Sequence, residues 1–173
     1  KWWDFKSPWL FEQYNAFRHV APSIAFPESH DTARLATELE PLGVHRDDAR
    51  LVERAYRQRY LFSAVFSSGV MMPVGFEYGF RGRLDVVHTR PQHWEAPLID
   101  LCPFVAEVNR LRAAIPALNE EGAQRQVHLG SRAVACLLRR AVNGPDWVLS
   151  LFNTDLHQAH EVRRAGLDAD VLV

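Results

Sequence analysis

The sequence lacks the features that mark disulfide-stabilised, membrane-spanning and nucleic-acid-binding proteins. Two cysteines occur among 173 residues, which is too few for a disulfide framework. No apolar stretch approaches the roughly 20 residues that a membrane helix needs. The formal net charge is −1, so no general attraction to nucleic acid or to anionic membranes is expected. With 47% hydrophobic residues, the composition predicts a soluble globular protein without nucleic-acid or membrane partners.

The two cysteines, Cys102 and Cys136, are isolated from each other and have mainly apolar neighbours. This context predicts buried free thiols in a reducing compartment, and therefore a cytoplasmic location. The histidines include no His-x-x-x-His or His-Glu-x-x-His pair, and the glycine patterns that cradle phosphates are absent. We therefore predict neither a metal nor another cofactor.

Helical and strand patterns alternate over the first two thirds of the chain. Ser7 and Pro8 are a typical helix start, and Pro116 ends the last helix of this part. The predicted elements are, in order, a helix at 8–19, a strand at 20–26, a helix at 46–66, a strand at 70–76 and a helix at 100–115. This order predicts an α/β fold with parallel strands joined by helices.

The pattern changes after about residue 120. Short β-like runs at 126–131, 133–139 and 147–153 are separated by turn residues, and Asn143-Gly144 is a strong hairpin signal. We expect the opening strands of an antiparallel domain here, with a boundary between residues 119 and 126. The predicted domains are therefore residues 1–120 and residues 121–173.

Polar side chains follow the first predicted strand directly. The apolar run ends at Phe26, and Glu28, His30 and Asp31 come next. In a (β/α) barrel, chemistry takes place at the carboxyl ends of the strands. A His-Asp pair at such a strand end can hydrogen-bond neighbouring hydroxyl groups, bind a metal or carry out acid–base chemistry. Glu28 adds a second carboxylate, and Arg34 can balance the acids. A capping Asp, a surface His and a salt-bridged Arg are the simpler interpretation.

Three blocks in this order resemble the α-amylase family of retaining glycosidases, glycoside hydrolase family thirteen. Phe26–Asp31 is similar to that family's Phe-x-x-x-His-Asp block after barrel strand seven. Ser67–Pro73, followed by Gly75-x-Glu77-x-Gly79, is similar to its strand-eight pattern. Phe104–Leu118 is similar to helix eight and the exit into the C-terminal β domain. Further features, which lie at 71–72, 85–87 and 94–95, resemble bacterial enzymes close to the maltosyltransferase branch.

The resemblance implies a fold and a length. The fold would be the last portion of a (β/α)8 TIM barrel, strands seven and eight with their helices, followed by an antiparallel β domain. A complete barrel needs about 250 residues. We therefore expect the chain to be part of a longer protein, with self-association through unpaired barrel edges if it stands alone.

The resemblance also implies roles for the strand-end residues. Asp31 would be the catalytic residue that grips the sugar hydroxyls and favours the distorted, oxocarbenium-like form of the ring. His30, Glu28 and Arg34 would bind the substrate, an α-glucan or malto-oligosaccharide. The nucleophile and the acid/base of that family have no counterpart in this sequence. The isolated chain is therefore expected to be inactive, and both hydrolysis and transglycosylation fit the parent protein.

Two other interpretations remain at this point. The chain could be a non-catalytic carbohydrate-binding or subunit-interaction module whose strand ends bind without cleaving. It could also be a small metal-dependent hydrolase that uses Glu28, His30 and Asp31, although a third and a fourth ligand are missing from the pattern.

Overall fold

The computed structural model describes residues 5–162, which form an α/β structure with a three-stranded antiparallel sheet. The helices are α1 Pro8–Phe17, α2 Leu35–Leu39, α3 Ala49–Phe66 and α4 Cys102–Ala114. The strands are β1 Ile24–Ala25, β2 Gly69–Val70, β3 Gln124–Gln126, β4 Val134–Arg140 and β5 Trp147–Asn153. Short 3-10 turns occur at Glu40–Leu42, Phe76–Tyr78, Pro91–His93 and Pro116–Asn119.

Strands β1 and β2 form a parallel pair joined through α3. Ile24 lies opposite Gly69, and Ala25 lies opposite Val70. The amide of Gly69 donates to the Ser23 carbonyl at 2.9 Å. A Cβ at Gly69 would lie 3.2 Å from Ile24 Cγ1, so glycine allows this close approach. The predicted alternation of strand, helix and parallel strand is therefore present, although each strand is only two residues long.

Helix α3 places the main core against this pair. It begins after Asp48, whose carboxylate accepts the amide hydrogen bond of Leu51 at 2.9 Å and so caps the helix. Its buried face carries Tyr56 and Tyr60, and Phe76 packs 4.9 Å from the Tyr56 ring. Because Phe76 begins the 3-10 turn on the segment after β2, this contact fixes where the chain goes after the second strand.

The antiparallel sheet has the order β3-β4-β5, and both faces of its central strand are covered. Successive strand residues point to opposite faces. Ala135 and Leu137 pack with aromatic residues of α1 and α3, whereas Cys136 and Leu138 form a smaller cluster with Val127. The sheet is therefore attached to the helices by one apolar face of its central strand.

Several sequence predictions are confirmed and others need correction. The helix starting at Pro8, the α3 helix and the hairpin at 143–144 are present. The first strand of the sheet lies at Gln124–Gln126, not at 126–131, and α2 was not predicted. Cys136 is buried and free, as predicted. The prediction that Cys102 is buried is wrong, because Cys102 is exposed at the start of α4.

Two further predictions concern membrane-spanning helices and the division into domains. No helix of residues 5–162 is long and apolar enough to cross a membrane. The domains of residues 1–120 and 121–173 extend outside the described range, and their boundary stays a prediction, as does the assignment of the first domain to the last portion of a (β/α)8 barrel. The chain does pack across the predicted boundary, since the Glu121 side chain accepts hydrogen bonds from the amide and the hydroxyl of Ser23 at 2.7 and 2.9 Å.

Candidate active site

The His-Asp pair lies on the loop that follows β1. The His30 and Asp31 side chains are 48% and 82% exposed, and Nε2 of His30 lies 3.4 Å from Oδ1 of Asp31. The loop is held locally by Ser29, whose hydroxyl accepts the Asp31 amide at 3.3 Å, and by Thr32, whose hydroxyl donates to the Ser29 carbonyl at 3.3 Å. Both functional groups therefore face solvent and are free to meet a ligand.

His30 and Asp31 are flanked along the chain by a buried ion pair between Glu28 and Arg34. The two residues are 4% and 3% exposed, and Arg34 Nη1 lies 2.5 Å from Glu28 Oε1. The other carboxylate oxygen accepts the amide of Leu35 at 2.6 Å. Burial raises the pKa of Glu28 above its usual value, against the opposing effects of the Leu35 amide and the Arg34 charge.

The remaining donors of Arg34 reach the segment that follows β2. Its Nη2 donates to the Val74 carbonyl at 2.8 Å, and its Nε donates to the Gly82 carbonyl at 3.0 Å. One guanidinium therefore joins the loop after β1 to two points after β2. Planar donors in a fixed fork suit this task better than a lysine ammonium would.

Glycines shape the turn between these two points. Gly75 has φ +90°, and its amide donates to the Glu77 carboxylate at 3.0 Å. A Cβ at Gly75 would lie 2.2 Å from Phe80 Cδ2 and 2.9 Å from Arg34 Nη2. Position 75 requires glycine, since both the dihedral angle and the lack of space exclude a side chain.

The exposed pair opens onto a groove that the sequence did not indicate. This first groove, of about 470 Å³, is lined by His30, Asp31, Arg83, Leu84, Asp85 and Val86. The pKa of Asp85 is lowered to about 2, chiefly by hydrogen bonds from the amides of His88 and Val87. No motif could have linked residues 83–86 to residues 30 and 31, because the contact depends on the tertiary path of a long charged loop.

The four predicted site residues thus differ in exposure. His30 and Asp31 line the first groove, whereas Glu28 and Arg34 are buried and bonded to protein groups. The catalytic role of Asp31 and the substrate-binding roles of His30, Glu28 and Arg34 stay predictions. Among residues 5–162, no group of three or more His, Cys, Asp and Glu side chains is arranged to hold a metal ion.

These features define an α/β protein with a polar strand-end site and an attached antiparallel sheet. The chain is 33% identical over 145 residues to the alpha-1,4-glucan:maltose-1-phosphate maltosyltransferase of Burkholderia pseudomallei (strain K96243). The match covers 82% of this chain and 12% of that enzyme, so the chain spans about an eighth of its relative's length. No protein-family model matches the chain. The similarity supports the resemblance of this region to the α-amylase family.

Proposed function

We propose that the chain is part of a cytoplasmic α-amylase-like glycoside hydrolase or transglycosylase that acts on α-glucans in carbohydrate metabolism. The observation that carries this proposal is the exposed His30-Asp31 pair at the end of a parallel strand, in a chain similar to a glucan maltosyltransferase. The relative's name gives α-1,4-glucan and maltose 1-phosphate as its substrates. An α-glucan or malto-oligosaccharide is accordingly the proposed substrate.

In this proposal β1 and β2 are the seventh and eighth strands of a (β/α)8 barrel, and residues 121–173 begin a C-terminal β domain. The parallel register of β1 and β2 supports this arrangement, as does their connection through the long helix α3. The three antiparallel strands after residue 123 support the second part.

Asp31 would act by binding the sugar more strongly as its ring flattens toward the oxocarbenium-like transition state. Its carboxylate accepts hydrogen bonds from neighbouring sugar hydroxyls, and His30 contacts the same sugar. Interactions that strengthen toward the transition state raise kcat, whereas uniform binding does not. Glu28 and Arg34 would contribute to substrate binding by fixing the loop that presents His30 and Asp31.

The other two carboxyl groups of a retaining mechanism would come from the parent protein. Such enzymes need a nucleophile and an acid/base about 5–5.5 Å apart. We therefore expect the isolated 173 residues to hydrolyse no glucan, and robust glucosidase activity of the pure chain would contradict this.

The test is Asp31→Asn in the full-length protein that carries this sequence. We expect kcat on malto-oligosaccharides to fall about a hundredfold or more, with a smaller change in KM. The matched control is Asp47→Asn, because Asp47 is exposed and lies at the start of α3, away from the groove. Unchanged kcat in Asp31→Asn would overturn the proposal.

A further inference from the structure

Strand β5 is an edge of the antiparallel sheet, and its outer side is uncovered in the described part of the chain. The sheet has the order β3-β4-β5, and among residues 5–162 no strand lies along the other side of β5. The opposite edge is different, because Asn15 of α1 donates to the Gln124 carbonyl of β3 at 2.7 Å and accepts the Gln124 amide at 3.2 Å. One edge of the sheet is therefore covered by a helix, and the other is open to a partner.

The hydrogen bonds of the sheet show which backbone groups of β5 point to this open edge. The Arg140 amide donates to the Ala123 carbonyl at 2.9 Å, so the even-numbered residues of β4 bond toward β3. The odd-numbered residues of β4 therefore bond toward β5, where their partners are even-numbered residues such as Ser150. The amides and carbonyls of Leu149 and Leu151 accordingly point away from the sheet.

The sequence of β5 carries none of the charged residues and prolines that protect an open edge from pairing. Its seven residues read Trp-Val-Leu-Ser-Leu-Phe-Asn. Trp147, Leu149 and Leu151 are 41%, 39% and 51% exposed, and the alternation of a strand places them in one row on the same face. An uncharged edge strand with an exposed apolar row pairs readily with another strand.

The open edge of β5 is complementary to itself. When two copies of β5 run antiparallel about a two-fold axis at Ser150, Leu149 of each copy lies opposite Leu151 of the other. Both leucines have outward-pointing backbone groups, so each of these two pairs can exchange N–H···O=C hydrogen bonds. Odd-numbered residues meet odd-numbered residues, so the apolar rows of the two copies lie on the same face of the joined sheet and touch across the axis.

The far end of β5 limits this pairing. The Asn153 carbonyl already accepts a hydrogen bond from the side-chain amide of Gln58 on α3. The backbone pairs are therefore those of Leu149 and Leu151. Because a contact of this size is small for a protein interface, we expect a reversible association and not a permanent one.

We propose that the open edge of β5 binds the β5 edge of a second copy of this chain. The contact joins two three-stranded sheets into one sheet of six strands. The symmetry of the strand favours this partner over an unrelated peptide, because the same residues supply both sides of the contact. Such a contact is closed by its two-fold axis, so it gives a dimer and no longer assembly. The inference does not depend on the proposed function.

The first test is disulfide cross-linking of the full-length protein that carries this sequence, with Cys102→Ser to remove the exposed thiol. Ser150 lies on the proposed axis as a non-hydrogen-bonded pair, where opposite Cα atoms are about 4.5 Å apart, a distance that a disulfide can span. We expect Ser150→Cys to give a covalent dimer on mild oxidation, seen on a non-reducing gel. Val148→Cys is the register control, because Phe152 of the other copy lies opposite it. Ser131→Cys, which is also partly buried but lies before β4, controls for random collision.

The second test measures the mass of the same protein by sedimentation equilibrium over a range of concentrations. We expect the double variant Leu149→Lys/Leu151→Lys to weaken the association at least about tenfold, because each lysine then faces a lysine of the other copy. Leu111→Lys is the matched control, since that leucine is 48% exposed on α4.

The outcomes separate a second copy from other occupants of the edge. A covalent dimer of Ser150→Cys but not of Val148→Cys or Ser131→Cys, together with weaker association of the double lysine variant, supports the proposal. Equal cross-linking of all three cysteine variants, no cross-linking, or unchanged association of the double variant overturns it. A monomeric wild type whose double lysine variant loses stability in urea would show that another part of the same chain covers β5, and this would overturn it too. No result depends on glucan turnover, so each leaves the proposed function untouched.

Discussion

Arg34 Nη1 lies 2.5 Å from Glu28 Oε1, and this ion pair, which flanks His30 and Asp31 along the chain, is almost completely buried. Two charges removed from water are tolerated because each finds several partners. Glu28 receives a second bond from the Leu35 amide, and Arg34 reaches carbonyls at Val74 and Gly82. The stability of the strand ends therefore depends on keeping both partners.

Removing one partner should be costly. Arg34→Ala leaves the Glu28 carboxylate buried without a counter-charge and the Val74 and Gly82 carbonyls without donors. We expect the free energy of unfolding to fall by about 3–5 kcal/mol, measured by urea denaturation. Arg57→Ala is the control, since Arg57 pairs with Glu53 at 2.6 Å on the surface and should cost less than about 1 kcal/mol. Equal losses in the two variants would contradict the importance of the buried pair.

His30→Ala should reduce catalysis rather than stability. The side chain is half exposed, so its removal leaves the core intact. In the full-length protein we expect kcat and kcat/KM on malto-oligosaccharides to fall together, by about ten- to a hundredfold. His19→Ala, at an exposed position after α1, should have no effect. A rise in KM with kcat unchanged would mean that His30 contributes only uniform binding.

Two glycines with similar dihedral angles should respond differently to alanine. Gly43 has φ +79° and open space around its missing Cβ, so Gly43→Ala should cost about 1 kcal/mol of strain. Gly75 has φ +90°, but a Cβ there would overlap Phe80 and approach Arg34. We expect Gly75→Ala to destabilise by about 2–4 kcal/mol in urea denaturation. If both substitutions cost the same, the crowding at Gly75 is not important.

Acid should weaken the hydrogen bonds that the Glu121 carboxylate accepts from Ser23 and Ser68, the residues that directly precede β1 and β2. Partial burial alone would raise the pKa of Glu121, but hydrogen bonds from Ser68 and Ser23 outweigh it and lower that pKa below the ordinary 4.5. A carboxyl with a lowered folded-state pKa stabilises above its unfolded pKa, and this contribution disappears as pH falls through the folded value.

The measurement compares wild type with Glu121→Gln from neutral pH down to about pH 3. The difference in free energy of unfolding should be largest near neutral pH and should shrink below about pH 4.5. Glu12→Gln, at an exposed position on α1, provides the control. A difference that does not change with pH would show that Glu121 acts through packing alone.

Local signals in the sequence were sufficient to predict several elements. Ser7-Pro8 marked the start of α1, and Asn143-Gly144 marked the hairpin between β4 and β5. The spacing of Leu10, Tyr14 and Phe17 is that of one helix face, but Phe17 is 60% exposed whereas Leu10 and Tyr14 are buried. Periodicity identifies a face of a helix, whereas burial depends on what packs against it.

The missed features depend on contacts between distant positions. Arg34 meets carbonyl groups 40 and 48 residues away, and backbone carbonyls carry no sequence signature. Helix α2 has five residues, too few for its periodicity to stand out. The groove beside His30 and Asp31 forms where the loop of residues 80–97 passes the loop that follows β1, so its residues could not be grouped before the fold was known.

The double attachment of Gly82 restricts how this region can be re-engineered. Its carbonyl bonds to Arg34 and its amide to Glu95, so the loop that follows is held in register with the strand-end loop. A segment transplanted from another protein would have to keep the spacing from Val74 to position 82 as well as the sequence of the groove walls. Loop exchanges confined to residues 83–94 keep both partners of Gly82 and should therefore retain the fold more often than exchanges that also replace Gly82 or Glu95.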